Sequence, residues 1–360
     1  YTCTLPLAKP ALSLLNVGDA TINAEWSPVD EATGYVLSYT ANGKTVNLPE
    51  TKSLSEKITG LKVGDVANVK VTALRGKDSS VSDSVRKTVR QDAERVWEFT
   101  EFGTSTNPER NRYELLDADN LKVRLLSCTY NPKTGNIIDK GGKYESFFDG
   151  MSFYYTKIDP RKENFELTVT VTVDYHTPIA DGQEGFGVLA LDQLGVDGQP
   201  MIIAYNNSTG IVSRKFTTHV NGAKKEIKNG IGYRAVTGLT EGIISQGDAA
   251  IKKMASSIYE AFSYDQAADA VKTGDVYRVT LKKDNTGYHS IYKRAIASEG
   301  TVEEYILYDT KNTKLLQLDS DWIYVGFSVA RGCNATFSDV VFKTSDPKND
   351  PPALPEPPEL

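Results

Sequence analysis

The stretch NFELTVTVTVD, residues 164–174, alternates between apolar and polar side chains without a break. Successive side chains of a β-strand point to opposite sides, so each class falls on one face. The apolar set is Phe165, Leu167, Val169, Val171 and Val173, and the polar set is Glu166, Thr168, Thr170 and Thr172. A helix would scatter both sets around its surface, so this pattern predicts a half-buried β-strand.

Similar patterns recur through the region 95–345. VYRVTLKK (276–283) alternates, and EGFGVLALD (184–192) is apolar on both faces, which predicts a strand covered from both sides. DSDWIYVGFSVARG (319–332) is a third strand, with Trp322 and Tyr324 on one face. Its opposite, apolar face consists of Ile323, Val325, Phe327 and Val329. So many strands in one region predict a large antiparallel jelly-roll β-sandwich.

One segment breaks the β pattern, at residues 248–272. Its apolar residues recur at helical spacing, with Asp248 placed to cap the start and Gly274 following the end. These apolar residues are Ile251, Met254, Ala255, Ile258 and Phe262. We expect a helical insertion that packs on the sandwich, with partner binding as the alternative role.

Shorter strand signals fill residues 10–92, after a lead-in over 1–9. Trp26, GYVLSYT (34–40) and GLKVGDVANVKVTAL (60–74) together resemble a fibronectin type III domain. That family usually has a Tyr where this chain has Ala67. The resemblance implies a small β-sandwich that lacks the tyrosine-corner hydrogen bond.

The last fifteen residues, 346–360, include six prolines. Proline lacks a backbone N–H and favours extended chain, so we expect a linker close to polyproline II. Such linkers separate modules, and no signal peptide pattern precedes Tyr1. We therefore expect a mature protein or a fragment of a larger one, with a catalytic or anchoring domain downstream.

Composition and motifs exclude several functions. The net charge of −6 argues against nucleic acid as a partner, and no apolar run is long enough for a membrane span. The chain has neither an HExxH nor a GxSxG motif, and its GFGVLA (185–190) lies inside a strand pattern rather than before a helix. We expect Cys3, Cys128 and Cys333 to be isolated thiols, with a Cys128–Cys333 disulfide as the alternative for a secreted protein.

Three sets of residues are candidates for binding. A basic segment, 214–234, has cations that can pair with the carboxylates of an acidic polysaccharide: Arg214, Lys215, Lys224, Lys225, Lys228 and Arg234. Aromatic residues can stack on sugar rings, and the candidates are Trp322, Tyr324 and Tyr155. Carboxylates can hold structural calcium, the one cofactor we consider, and the candidates are Asp192, Asp319 and Asp321. The alternative for the basic segment is a solvated hairpin. The alternative for the aromatic residues is core packing, and the carboxylates could instead form a pair for glycoside hydrolysis.

Several of these stretches together resemble a known family. They are DGMSFYYTKI (149–158), NFELTVTVTVD, GQEGFGVLALDQLG (182–195), YNNS (205–208), VTLKKDNTGYH (279–289), DSDWIYVGFSVARG and TFSDVVFKTSDPKNDPP (336–352). The family is the ancillary β-sandwich module of large secreted bacterial polysaccharide-degrading proteins of pectate or exopolygalacturonate lyase type. The resemblance implies an extracellular or cell-surface protein that acts on plant polysaccharide. It supplies no catalytic residues.

We therefore predict an all-β fragment: a fibronectin type III domain, a jelly-roll carbohydrate-binding domain with a helical insertion, and a Pro-rich linker. The predicted ligand is a pectic, galacturonate-containing polysaccharide. Asn206 and Asn207 are candidate partners for its hydroxyls, and Arg331 is a further candidate contact. The alternatives are an α-glucan or starch ligand, a sandwich that is itself a lyase or hydrolase, and a purely structural spacer.

Overall fold

The structure, a computed structural model, describes residues 5–17, 20–90, 95–145, 147–195, 204–220, 223–254, 256–261, 270–296, 301–309, 315, 318–319, 321–350 and 352. The chain divides into two compact units, Tyr1–Arg95 with Val340–Lys343 and Val96–Asp339 with Thr344–Leu360. Antiparallel strands make up nearly all the regular structure of the described residues, which confirms the predicted all-β class.

The first unit has eight strands in its described part. They are β1 (Leu12–Asn16), β2 (Ile22–Trp26), β3 (Gly34–Ala41), β4 (Lys44–Asn47), β5 (Ser55–Ile58), β6 (Val66–Arg75), β7 (Asp78–Val81) and β8 (Val85–Thr88). One sheet has the order β1-β2-β5, and the other has the order β4-β3-β6-β7 with β8 also paired to β6. Trp26 lies in the core, 5.8 Å from the ring of Tyr35, and Ala67 is fully buried. The fibronectin type III assignment of this unit stays a prediction.

The second unit is larger and holds most of the remaining strands. Its first strands are β9 (Glu98–Gly103), β10 (Arg112–Asp117), β11 (Lys122–Leu126), β12 (Cys128–Tyr130), β13 (Ile137–Lys140), β14 (Phe148–Ile158), β15 (Asn164–His176) and β16 (Gly185–Leu191). The others are β17 (Ala204–Tyr205), β18 (Ser208–Val220), β19 (Ala223–Thr237), β20 (Ser256–Ala261), β21 (Val276–Asp284), β22 (Gly287–Ile296), β23 (Thr301–Asp309), β24 (Ile323–Ala330) and β25 (Cys333–Ser345). Two helices, α1 (Glu241–Ile244) and α2 (Asp248–Met254), and a 3₁₀ turn (Pro347–Asn349) complete it.

Two large antiparallel sheets form the sandwich. The seven-stranded sheet has the order β10-β11-β25-β15-β21-β22-β23. The eight-stranded sheet has the order β17-β14-β24-β16-β18-β19-β20, with β9 also paired to β14. Neighbouring strands come from distant parts of the chain, as β24 between β14 and β16 shows, so closure of this sandwich depends on long-range pairing. The predicted jelly-roll sandwich is confirmed.

Aromatic rings fill the space between the two sheets. Phe327 of β24 stacks on Phe337 of β25 with 4.8 Å between ring centroids, and Phe186 of β16 meets Tyr277 of β21 at 5.4 Å. The five apolar residues of the alternating stretch in β15 are all buried, whereas its four polar residues remain partly exposed. The predicted half-buried strand is therefore confirmed, with its apolar face toward this core.

The eight-stranded sheet is also covered on its outer face. Side chains of β14 and β16 that point away from the other sheet, such as Phe153 and Leu189, form a second buried cluster. Tyr144, from the segment before β14, lies over this cluster, and its hydroxyl is 2.8 Å from the Ser328 hydroxyl. All seven residues of β16 are buried, so this strand is covered on both faces as predicted.

The predicted helix over 248–272 is wrong beyond Met254. Helix α2 ends there, and Ser256–Ala261 forms β20, which pairs antiparallel with β19 and places Ile258 opposite Ala235. Hydrogen bonding along a sheet edge overrides the helical spacing of the apolar residues. The Asp248 carboxylate accepts a hydrogen bond from the Tyr205 hydroxyl, and residues 262–269 lie outside the described part.

Both described cysteines are free thiols in the interior. Cys128 and Cys333 are buried, and the alternative of a disulfide between them is not what the structure shows. Burial raises the pKa of Cys128 to about 12, so this thiol is protonated and unreactive at neutral pH. Cys3 and most of the Pro-rich tail, 351 and 353–360, lie outside the described residues.

Close packing around β24 makes a substitution at Gly326 informative. A Cβ there would lie 2.1 Å from the Tyr154 carbonyl oxygen, so the backbone would have to move. We expect Gly326→Ala to lower the free energy of unfolding by about 1–3 kcal/mol. Chemical denaturation measures this loss. Gly242→Ala is the matched control, because its nearest neighbouring atom lies at 3.9 Å; equal stability of the two variants would contradict the packing described.

Candidate functional site

Two turns meet at one end of the eight-stranded sheet. Ile158, the last residue of β14, pairs with Ile323, the first residue of β24. The turn that follows β14 and the turn that precedes β24 therefore lie side by side. We call this place the Trp322 corner; it consists of residues 159–163 and 319, 321 and 322.

The first turn is built around the carboxylate of Asp159. Arg161 binds both of its oxygens, with Nε 2.8 Å from Oδ1 and Nη2 3.1 Å from Oδ2, and Lys162 Nζ lies 3.1 Å from Oδ2. The Asp159 carboxylate has little exposure, whereas the cations are largely exposed. Arg161 above all holds the pKa of Asp159 well below its usual range. The turn thus has an ionised carboxylate at its centre and two cations at its surface.

The second turn is built around Asp319. Its Oδ1 accepts hydrogen bonds from the backbone N–H groups of Asp321 and Trp322, at 2.9 and 3.2 Å. Its Oδ2 accepts a hydrogen bond of 2.8 Å from the Tyr324 hydroxyl. Burial, and after it this bond to Asp319, raises the pKa of Tyr324 well above its usual value. Arg161 Nη1 lies 3.1 Å from Asp321 Oδ1 and joins the two turns.

Trp322 is the exposed aromatic residue of this corner. It comes just before β24, and 41% of its surface remains accessible. Its backbone is fixed by Asp319, while its indole makes no ring contact in the described part of the chain. The following residues of β24 enter the sandwich, with Ile323 and Val325 fully buried. The corner therefore presents a flat apolar surface on a rigid turn, next to exposed cations.

The other two aromatic candidates lie inward from Trp322. Tyr324 is partly buried and contacts Tyr155 edge-to-face, with 5.7 Å between ring centroids. Tyr155 is buried and stacks on Phe153 at 5.4 Å. These two tyrosines pack between the Trp322 corner and the buried Phe153. The ring of Tyr155 therefore contacts protein rather than solvent.

The two candidate asparagines are in the interior. The Asn207 side chain donates to Asp192 Oδ2 at 2.6 Å and to the Leu239 carbonyl at 3.1 Å. Asn206 is fully buried, and its backbone N–H donates to the Phe147 carbonyl at 3.2 Å. Asn207 therefore ties the segment before β18 to the end of β16. Neither asparagine is at the Trp322 corner.

The described members of the predicted basic cluster, Arg214, Lys215 and Arg234, each have a different partner within the chain. Arg234 is fully buried and forms an ion pair with Asp149, which is equally buried. Burial raises the pKa of Asp149, and Arg234 acts against that shift. Arg214 is partly buried and donates to the Glu145 carbonyl at 3.1 Å. Lys215 pairs with Glu226 at 2.6 Å. The side chains of Lys224, Lys225 and Lys228 lie outside the described residues.

Arg331 lies at the opposite end of β24 from Trp322. Its Nε and Nη2 donate to Asp181 Oδ2, at 2.9 and 2.6 Å. Its backbone has a φ of 64°, which is uncommon for a residue other than glycine, and its N–H donates to the Gly141 carbonyl at 2.7 Å. Arg331 thus fixes the turn between β24 and β25 and is not part of the Trp322 corner.

The three calcium candidates do not come together at one point. Asp192 is buried and bonded to Asn207, Asp319 organises its own turn, and Asp321 pairs with Arg161. No group of three or more Asp, Glu, His or Cys residues in the described ranges is arranged to hold a metal ion. The calcium site stays a prediction.

Sequence reasoning missed Arg161 and Lys162. They follow β14 in the short turn DPRKE (159–163), which ends where β15 begins. A turn with two adjacent cations after a strand was a signal of exposure. Its link to Asp321, 160 positions further along, has no local signal.

Comparison with known proteins decides the family. Residues 99–347 match the family described as the pectate disaccharide-lyase N-terminal domain. The chain belongs to this family. The match covers both sheets of the sandwich and both turns of the Trp322 corner.

Two curated proteins are similar to much of this chain. Pectate lyase L of Thermoclostridium stercorarium is 29% identical over 285 residues, which are 77% of this chain and 20% of that protein. The pectate disaccharide-lyase of Dickeya chrysanthemi is 28% identical over 286 residues, which are 74% of this chain and 35% of that protein. The chain thus spans about a fifth and about a third of the lengths of these relatives.

Solved structures with a related arrangement are distant. A basic winged bean lectin with Tn-antigen matches 71% of this chain and 100% of its own at 11% identity, with a TM-score of 0.36. A winged bean acidic lectin complexed with methyl-α-D-galactose matches 69% of this chain and 99% of its own at 13% identity, with a TM-score of 0.35. Scores this low support no argument about the site.

The first turn predicts a dependence of stability on pH. The pKa of Asp159 is lower in the folded than in the unfolded chain, so its ionised form stabilises the fold above the ordinary pKa of about 4. This contribution is lost as the pH falls below that value. We expect Asp159→Asn to be less stable than the wild type at pH 7 and to converge toward it in acid. Unfolding measured across pH tests this, with Asp30→Asn, an exposed carboxylate, as the control; parallel curves for wild type and Asp159→Asn would contradict it.

Proposed function

We propose that this chain is a non-catalytic, carbohydrate-binding part of a secreted, multimodular protein that degrades pectic polysaccharide. Its family membership and the names of its two relatives support a link to pectate. The chain spans a minor part of those relatives, so we assign the cleaving activity to other parts of the full-length protein. In this proposal the first unit is a fibronectin type III spacer, and the protein works outside the cell or at its surface.

The exposed indole of Trp322 is the observation that carries the proposal. A half-exposed tryptophan on a fixed backbone can stack on the apolar C–H face of a sugar ring. Asp319 fixes the backbone at Trp322, and Tyr324 supports the turn from inside. In the described residues no helix is long and apolar enough to cross a membrane.

Charges at the Trp322 corner add less to binding than the indole does. Arg161 and Lys162 are exposed cations, but Asp159 and Asp321 already lie within 3.1 Å of them. A uronate carboxylate would have to share Arg161 with these residues. The stacking contact therefore sets the affinity at this corner, and the cations orient an acidic ring. Weak binding of this kind suffices in a tethered module, because tethering raises the local concentration of the catalytic part at the polymer.

Trp322→Ala tests the site. We expect binding of oligogalacturonate to weaken roughly thirtyfold, because a tryptophan contact of this kind is typically worth about 2 kcal/mol. The melting temperature should stay close to that of the wild type, since Trp322 is half-exposed. Calorimetric titration and thermal unfolding give the two quantities. A collapse of stability would instead assign Trp322 to the core.

Trp97→Ala is the matched control for that experiment. The Trp97 ring stacks on Phe327 at 5.3 Å and on Tyr154 at 5.9 Å. Removal of this partly buried ring should lower the free energy of unfolding by about 2–3 kcal/mol, since it packs on the buried Phe327. The folded fraction of this variant should keep the affinity of the wild type for the glycan.

A catalytic assay separates the proposal from the enzymatic alternative. A lyase would release unsaturated products from polygalacturonate, and their ultraviolet absorbance would rise with time. We expect the purified chain to give no such rise. Rapid product formation would overturn the non-catalytic assignment. Affinity gels with pectin, starch and xylan separate the remaining alternatives: retardation on starch alone indicates an α-glucan ligand, and free migration on all three indicates a spacer.

A further inference from the structure

The outer face of the seven-stranded sheet carries a row of polar side chains. Thr168 and Thr170 of β15 lie opposite Thr280 and Arg278 of β21 in the antiparallel register. The hydroxyls of Thr168 and Thr280 are 2.8 Å apart. These residues point away from the core and are partly exposed. The face therefore offers hydroxyl groups and one guanidinium on rigid, paired strands.

Arg278 lies flat across this face. Its Nη1 donates to the Thr170 hydroxyl on β15 and to the Asp339 carbonyl oxygen on β25, both at 2.8 Å. The side chain therefore reaches from β21 over β15 to β25. A guanidinium has five N–H donors, and these two bonds use those of Nη1. Its orientation is fixed by two neutral acceptors, while the other three donors keep their capacity to bind a ligand.

Two other cations of this face, Arg124 and Lys282, have anionic partners. Arg124 lies 3.2 Å from both Glu114 and Asp174, and Lys282 lies 3.1 Å from Asp284. Arg278 has no ion pair with a carboxylate within the described residues, although Asp339 favours its charge from further away. Burial lowers the pKa of Arg278, which is the mark of a charge that is partly desolvated and not neutralised. A bound carboxylate would supply the missing partner.

We propose that Arg278 binds the carboxylate of a uronate residue of an acidic polysaccharide. The three remaining N–H groups can hold a carboxylate in a forked, charge-assisted pair. The hydroxyls of Thr168 and Thr280 lie two residue pairs along the strands, on the same face as Arg278, and can bind ring hydroxyls of the same chain of sugars. This inference rests on the proposed function and deepens it: the Trp322 corner holds a sugar ring, and Arg278 selects acidic over neutral or esterified glycan.

The test is the affinity of the 360-residue chain for oligogalacturonate and for its fully methyl-esterified form. For Arg278→Met we expect about tenfold weaker binding of the acidic ligand, as for the loss of one charge-assisted contact. Binding of the esterified ligand should be unchanged, because it presents no carboxylate. Arg278→Lys keeps the positive charge but not the forked guanidinium, so it should retain part of the preference for acidic over esterified ligand. If Arg278→Met does not fold, the affinities of Arg278→Lys for the two ligands test the same contact.

Arg124→Met is the control on the same face, because the charge it removes is already paired; its affinity should stay within about twofold of the wild type. Equal losses in the Arg124 and Arg278 variants would show a general charge effect and overturn the inference. If the wild type binds the acidic glycan and only Trp322→Ala weakens it, the Arg278 site is refuted while the proposed function stands. If the wild type binds no pectic ligand, both fail together.

Discussion

The pairing of β24 between β14 and β16 is the constraint on which the larger unit depends. All three strands are buried on both faces over most of their length. Small outward-facing side chains at the centre of β24 make this burial feasible: Gly326 lies opposite Tyr155 in the register, and the Ser328 hydroxyl bonds to that of Tyr144. The sheet can then carry an aromatic core on one side and a second apolar cluster on the other.

This double burial decides where ligands can bind. The central strands of the eight-stranded sheet have no free face, so functional groups are confined to strand ends and to the other sheet. Trp322 is exposed because it comes just before β24 enters the sandwich, whereas Tyr324, two residues later, is already partly buried. The candidate site is thus a consequence of how the core is closed, and its rigidity comes from the same strands.

Periodicity predicted the strands but not the partners of their polar residues. The alternation in β15 and the two-sided burial of β16 could be read locally, because a side chain's face follows from its position along a strand. The burial of Arg234 could not, since it depends on Asp149, which lies 85 positions earlier. The strand β20 was missed for a related reason: its apolar spacing fits a helix, and only the edge of β19 favours extended chain.

Net charge does not decide whether an acidic chain can bind an acidic polymer. The chain carries a formal charge of −6, yet at physiological salt exposed charges are screened beyond about 8 Å. Repulsion over longer distances is therefore weak, and contacts of a few ångströms set the preference. Several cations of the sandwich, such as Arg124, Lys157 and Lys282, are already paired with carboxylates of the same chain, and such pairs are worth little to an incoming anion. A guanidinium held by neutral acceptors is different, because its charge is oriented but not neutralised. One such group can therefore count for more than a cluster of paired lysines.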